Sequence, residues 1–172
     1  MALIVTRAAI LLMTLTSLNT SGADGRAPTF RQFPIGEVYK GPMHAPEIHT
    51  DDAPETPMNW AILHEATESP NFAGHYRVVR FSCGTECTAY AINDVVSGRL
   101  VSSGSVDFPY TVGVYQRSGL PHGIEFRVDS RLFVIHGCIP SQPCGSYYYV
   151  IDRDRLTLKR KVEFKPQPER IR

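Results

Sequence analysis

Residues 71–101 read NFAGHYRVVRFSCGTECTAYAINDVVSGRLV, and this stretch decides the fold. Two apolar runs, residues 77–81 and 89–92, flank a short loop that begins at Cys83 and ends at Cys87. Short apolar runs bounded by turn residues are typical of β-strands. We therefore predict a β-hairpin whose tip is closed by a disulfide and on which the other strands are laid.

Further strand-like runs follow this hairpin. They cover residues 111–115, 124–128, 132–135, 147–151 and 156–164. The alternation in the last run predicts that Leu156, Leu158 and Val162 share one face, with Lys159 and Lys161 on the other. A strand, a cysteine loop, a tyrosine-rich strand and a turn with Asp occur in that order from residue 76 and again from residue 132. The sequence therefore predicts a mainly β (α+β) fold, with one antiparallel sheet or two packed sheets built from two similar hairpin units.

One helix is expected before the strands. Thr56 and Pro57 supply an N-cap hydroxyl and a proline at the first helical position, and Pro70 ends the pattern. Over about residues 57–68, Trp60 and Leu63 fall on one apolar stripe. We expect this helix to pack against the sheet.

The remaining segments set the domain boundaries. Arg7 precedes an apolar run that is shorter than the roughly 20 residues of a membrane span, and small residues follow up to Ala23. This predicts a signal peptide over 1–23, cleaved near Ala23, and a secreted or periplasmic protein without membrane insertion after cleavage. Residues 24–55 are proline-rich and lack apolar periodicity, so they are predicted to be an extended tether. A single domain, 56–165, and a basic tail, 166–172, complete the chain.

The charge balance excludes one class of partner. The chain has 18 Lys and Arg against 17 Asp and Glu, a net charge of +1. Removing the predicted signal peptide removes Arg7 and brings the net charge to zero. No overall field then draws the protein to nucleic acid or anionic lipid.

The four cysteines predict two disulfides, because an exported chain meets an oxidising compartment. Local pairing, Cys83 with Cys87 and Cys138 with Cys144, is favoured because near neighbours meet first and both pairs lie in turn-like sequence. The two crossed pairings remain open at this point, since longer loops give more stabilisation in the loop-entropy treatment. Thiol redox chemistry and a zinc site are disfavoured by the irregular spacings.

The segment from Asn71 to Tyr76, the loop from Cys83 to Cys87 and the turn from Asp94 to Gly98 together resemble a family of small exported bacterial proteins of uncharacterised function. The resemblance covers roughly residues 56–160. It implies a bacterial, periplasmic, single-domain protein and supplies no catalytic residues. The second cysteine pair is not a feature of that family, so its bridge rests on spacing alone.

Binding is the expected function, through the hairpin loop. A disulfide-closed loop holds Thr85 and Glu86 out as a rigid knuckle, and preordering lowers the entropy cost of binding a partner. In the tyrosine-rich strand, an exposed ring such as Tyr148, beside Tyr90, is a further candidate contact for a protein or glycan. The chain is thus predicted to be an interaction or inhibitor-type module for an unknown protein or envelope glycan, without a cofactor.

Two alternatives stay open. His75, at the start of the first core strand, is a candidate base for a cell-envelope hydrolase, although no serine or cysteine lies in a nucleophile signature. A metal-binding periplasmic protein is the other, because several metal-ligating side chains lie in the predicted tether, namely Met43, His44, Glu47, His49, Asp51 and Asp52. No spacing among them fixes a geometry, so no metal site is assigned.

Overall fold

The computed structural model of the chain describes residues 25–46, 64–65, 68–101 and 111–165. The strands are β1 Tyr76–Gly84, β2 Cys87–Asp94, β3 Thr111–Tyr115, β4 Gly123–Arg127, β5 Ser130–Gly137, β6 Gly145–Asp152 and β7 Arg155–Glu163. A 3-10 turn covers Phe30–Gln32. The prediction of a mainly β fold is confirmed. In this described part, no helix is long and apolar enough to cross a membrane.

The strands form two antiparallel sheets, one in the order β1-β2-β3 and one in the order β4-β5-β6-β7. Within each sheet every strand pairs with its neighbour in sequence. The β1–β2 and β5–β6 hairpins each end in a disulfide, Cys83–Cys87 and Cys138–Cys144. The local cysteine pairing and the two similar hairpin units are therefore confirmed.

The main hydrophobic core lies between the two sheets and takes side chains from both. Phe72 is fully buried within it, with its ring centroid 5.4 Å from that of Phe133 and 6.1 Å from that of Phe126. Truncating such a ring to alanine costs about 3–5 kcal/mol. Other members are Tyr76, Val78, Tyr90, Ile92, Val101, Val114, Ile135, Tyr147 and Ile151.

The open edge of β1 is covered by a side chain. The amide nitrogen of Asn71 donates to the Val78 carbonyl at 3.1 Å, and the Val78 N–H donates to the amide oxygen of Asn71 at 2.7 Å. The Asn71 side chain thus takes the place of a neighbouring strand's peptide. Unpaired strand edges can associate with other chains, so these two hydrogen bonds protect the edge of the first sheet.

The helix predicted over about 57–68 lies largely outside the described residues, although the backbone is helical at 64–65. Arg77 of β1 ties this stretch to the first sheet. Its guanidinium donates to the carbonyl of Glu65 at 3.2 Å and to that of Ser69 at 3.2 Å. The end of the stretch is therefore anchored on β1.

Residues 25–46, the N-terminal segment, run along both sheets. The N–H of His44 donates to the Val95 carbonyl at 2.8 Å, beside the first sheet. The N–H of Ile35 donates to the Asp129 carbonyl at 3.2 Å, in the turn between β4 and β5. The middle and the C-terminal end of the segment therefore have backbone partners more than fifty positions away.

Ser130 pins the same segment to the second sheet. Its hydroxyl oxygen lies 2.9 Å from the Phe30 carbonyl and 3.0 Å from the Phe33 carbonyl, and it accepts a hydrogen bond from the Leu132 N–H at 3.2 Å. The rings of Phe30 and Phe33 pack on a second apolar cluster on the outer face of that sheet, formed by Leu132, Val134 and Val150. This face of the sheet is thus partly covered.

The last strand departs from simple alternation. The pairing of β6 with β7 shifts between Tyr148 and Tyr149, which leaves Lys159 as an extra residue on β7. An extra residue sends every later side chain to the opposite face. The prediction that Val162 shares a face with Leu158 is therefore wrong, and Val162 lies on the outer face, 39% exposed.

Candidate functional site

The tip of the first hairpin is short and held on both sides. Thr85 and Glu86 form its turn, and the Cα atoms of Cys83 and Cys87 are 5.1 Å apart across the disulfide. Glu86 has φ 57°, a left-handed conformation that most side chains avoid. Both turn residues are exposed, so the knuckle predicted from the sequence lies at the surface.

Tyr115, the last residue of β3, joins the two hairpin tips. It stands opposite Cys87 in the first sheet. Its N–H donates to the Cys138 carbonyl at 2.9 Å, and its carbonyl accepts from the Cys138 N–H at 3.1 Å. The next residue, Gln116, donates its N–H to the Glu86 carbonyl at 2.8 Å. Both disulfide rings therefore lie at one end of the molecule, on either side of Tyr115.

We call this end the tip surface and define it as Thr85, Glu86, Tyr115, Gln116 and the loop 138–144. Tyr115 is 45% exposed and contributes an apolar ring with a polar hydroxyl. The loop residues from 140 to 143 are exposed. Because both loops are closed covalently, the surface is preordered for contact with a partner.

His75 lies at the opposite end of β1, roughly 25 Å from the knuckle at about 3.3 Å per strand residue. It borders a cleft of about 560 Å³ whose other wall is the segment from Glu37 to Lys40. The His75 Nε2 is 4.0 Å from Asp94 Oδ1. The imidazole therefore faces a cleft that holds a second polar side chain, rather than backbone inside the core.

Asp94 has a structural duty beside this cleft. Its carboxylate accepts from the Val96 N–H at 2.9 Å and from the Ser97 hydroxyl at 2.5 Å, which closes the turn after β2. Among the described residues that line the cleft there is no serine or cysteine. The cleft thus offers an imidazole and mixed charges to a ligand, without a side-chain nucleophile of those two types.

The ring of His75 lies against that of Tyr76, with centroids 4.1 Å apart. The Tyr76 hydroxyl donates to Asp154 Oδ1 at 2.8 Å, in the turn between β6 and β7. Burial, with the Asp154 hydrogen bond, raises the pKa of Tyr76 well above its usual range. The hydrogen bond from Tyr76 to Asp154 ties the two sheets together at this end.

The two predicted tyrosine contacts lie elsewhere. Tyr90 is only 5% exposed and belongs to the main core, where burial raises its pKa. Tyr148 is half-buried on the outer face of the second sheet, beside Phe30 and Phe33. The predicted site residues are thus not gathered in one place, and the tip surface holds two of them, Thr85 and Glu86.

A polar cluster that sequence reasoning missed lies on the outer face of the second sheet. His136 Nδ1 is 2.8 Å from the Ser146 hydroxyl oxygen, and its Nε2 is 3.1 Å from Glu125 Oε1. The three residues belong to β5, β6 and β4. No local pattern marks them, because only the strand register brings them together.

The candidate metal ligands of the predicted tether are mostly outside the described residues. Met43 and His44 are described, and the latter is held through its backbone N–H by Val95. Within the described ranges no group of three potential ligands is assembled.

Comparison of the chain with protein-family profiles, with curated proteins and with solved structures finds no match.

Proposed function

We propose that this chain is an exported binding module of the inhibitor type, which contacts a protein or an envelope glycan through the tip surface. The observation that carries the proposal is the junction at Tyr115, which fixes two disulfide-closed loops side by side and leaves Thr85 and Glu86 exposed. A contact surface that loses little freedom on binding keeps more of its interaction energy.

The compartment fits this proposal. Two disulfides close hairpin loops of a small domain, as in proteins that fold under oxidising conditions. The predicted signal peptide over 1–23 and the resemblance to exported bacterial proteins both support a location in the periplasm or outside the cell. Bacterial origin and export are part of the proposal.

The test is affinity capture from bacterial periplasmic extract with immobilised protein, quantified by mass spectrometry. We expect Glu86→Ala to lower recovery of the specific prey roughly fivefold or more, the effect of losing at least about 1 kcal/mol at an interface. Tyr115→Ala should act in the same direction. Asp152→Ala is the matched control, because it removes an exposed carboxylate at the far end of the second sheet.

Equal recovery of every prey by wild type, Glu86→Ala and Tyr115→Ala would remove the tip surface from consideration. The same variants should be compared on purified cell-wall glycan. A loss confined to the glycan, or confined to one protein, decides which of the two partner classes the surface serves.

A second candidate function has one specific observation in its favour. His75 faces the cleft beside Asp94, the placement that a general base for a cell-envelope hydrolase requires. Incubation with purified cell wall, followed by assay of released soluble fragments, tests it. Release by wild type and not by His75→Gln would favour hydrolysis, and equal release by both, or none, would exclude it.

A further inference from the structure

We infer that Ser146 is a nucleophile, that His136 is its general base, and that Glu125 orients the base, so that the outer face of the second sheet accepts an acyl group from an ester. This site is separate from the knuckle and from the His75 cleft. The inference follows from the side-chain geometry of the three residues and from the register of the three adjacent strands that carry them.

The hydrogen bonds link the three side chains in the sequence serine, histidine, carboxylate, as in sites that activate a serine hydroxyl. The His136 Nδ1 lies 2.8 Å from Ser146 Oγ, and the Nε2 lies 3.1 Å from Glu125 Oε1. A carboxylate only accepts hydrogen bonds, so it fixes the tautomer in which Nε2 carries the proton. Nδ1 is then left with a lone pair directed at the serine hydroxyl. A nucleophile, a base within reach and a third group that orients the base are the signature of such sites, whatever the fold.

The sheet holds this arrangement in place. His136 and Ser146 stand directly opposite each other on β5 and β6, and Glu125 on β4 stands opposite Val134, one diagonal step from His136. Two residues beyond the pair, at 138 and 144, the strands are joined by a disulfide with a Cα–Cα distance of 4.0 Å. Catalytic geometry is best kept on paired strands rather than on free loops.

Exposure sets the class of substrate. Ser146 is 8% exposed, while the side chains of His136 and Glu125 are 20% and 60% exposed. The neighbour of Ser146 on β7 is Val162, which forms an apolar and partly exposed side to the site. We therefore expect a small ester with a short apolar acyl group, because Ser146 is nearly buried and Val162 offers an apolar contact beside it.

The step is an acyl transfer with a balanced proton path. Ser146 gives its proton to His136 Nδ1 as Oγ bonds to the acyl carbon. The ester C–O bond then breaks, and the proton passes from Nδ1 to the departing oxygen, which leaves as the alcohol. Water follows the same route to release the acid and restore Ser146. Because β6 is paired on both sides, few of its N–H groups remain to stabilise an oxyanion, so we expect both acylation and release to be slow. Acylation by an ester with a good leaving group, such as nitrophenol, should be the faster of the two steps.

The test uses a fluorophosphonate probe, which forms an Oγ–P bond and releases fluoride, with the adduct located by peptide mass spectrometry. We expect labelling at Ser146, abolished in Ser146→Ala and lowered at least tenfold in His136→Gln. Glu125→Gln should lower the rate severalfold, and Glu125→Asp should recover part of it, as a positioning role requires. His122→Gln is the matched control and should label like wild type.

Thermal unfolding of each variant separates loss of chemistry from loss of fold. Should Ser146→Ala fail to fold, the Glu125 variants still decide, since that side chain is largely exposed. No adduct at Ser146 in the folded wild type, or equal labelling rates in wild type and His136→Gln, overturns the inference. p-Nitrophenyl acetate gives a second readout, an initial burst of nitrophenol in wild type that Ser146→Ala lacks.

Discussion

Replacing Asn71 by alanine should weaken the first sheet at its open edge. The amide of Asn71 makes two hydrogen bonds with the backbone of Val78, which is a buried residue. Each buried backbone group left without a partner costs about 1–3 kcal/mol. Because Asn71 is itself half-buried, water reaches part of the vacated space, and we expect a total near the lower bound, about 2 kcal/mol.

Urea unfolding measures this loss in the free energy of unfolding directly. For a domain of this size, about 2 kcal/mol corresponds to a fall in Tm of roughly 4–8 °C. Hydrogen exchange adds a local readout, since the Val78 amide should lose its protection more than amides in β6. Gln142→Ala is the matched control, because it removes an exposed amide side chain. An Asn71→Ala free energy of unfolding within about 0.5 kcal/mol of wild type, with Val78 still protected, would refute the reasoning.

Three other perturbations have defined outcomes. Replacing Cys83 and Cys87 together by alanine should cost about 2 kcal/mol in urea unfolding, the value for a short closed loop, and no loss would contradict the bracing role of the bridge. Burial raises the pKa of Tyr149 to about 12, so the folded state resists ionisation of a phenol whose unfolded pKa is about 10. The stability that this tyrosine contributes is therefore complete below about pH 10 and lost as the pH rises toward 12. Across that range, the free energy of unfolding should fall less steeply with pH in Tyr149→Phe than in wild type. Identical pH dependence in the two proteins would contradict this effect. Ser130→Ala should cost about 1–3 kcal/mol and speed proteolysis within residues 25–46, whereas an unchanged cleavage rate would show that the hydroxyl does not hold that segment.

The first hairpin could be predicted because its signals are local. The apolar runs, the turn and both cysteines lie within a few residues of one another, and their pairing needs no distant partner. The same holds for the second disulfide, whose cysteines are six positions apart. The three consecutive tyrosines alternate between the faces of the sheet, as side chains in a strand do, with Tyr147 in the core and Tyr148 on the opposite face.

What the sequence could not show depends on register and on distant contacts. The extra residue Lys159 breaks the alternation of β7, and neither its charge nor its neighbours mark it as a bulge. Ser146, His136 and Glu125 are up to 21 positions apart and meet only because the strands pair as they do. The sequence therefore pointed to the disulfide-closed knuckle and to His75, whereas the cluster of Ser146, His136 and Glu125 could not be predicted from it.

The docking of the N-terminal segment has a consequence for the order of assembly. Residues 25–46 precede both sheets in the chain, and their partners at Val95, Asp129 and Ser130 lie about fifty or more positions later. In each sheet, every strand pairs with its neighbour in sequence, so the contacts are local. The contacts of residues 25–46 close loops of fifty residues or more, and such contacts form slowly. We therefore expect the two sheets to fold first and the segment to dock last. Pulse-labelling hydrogen exchange during refolding should show the Ile35 and His44 amides gaining protection after those of β5 and β6.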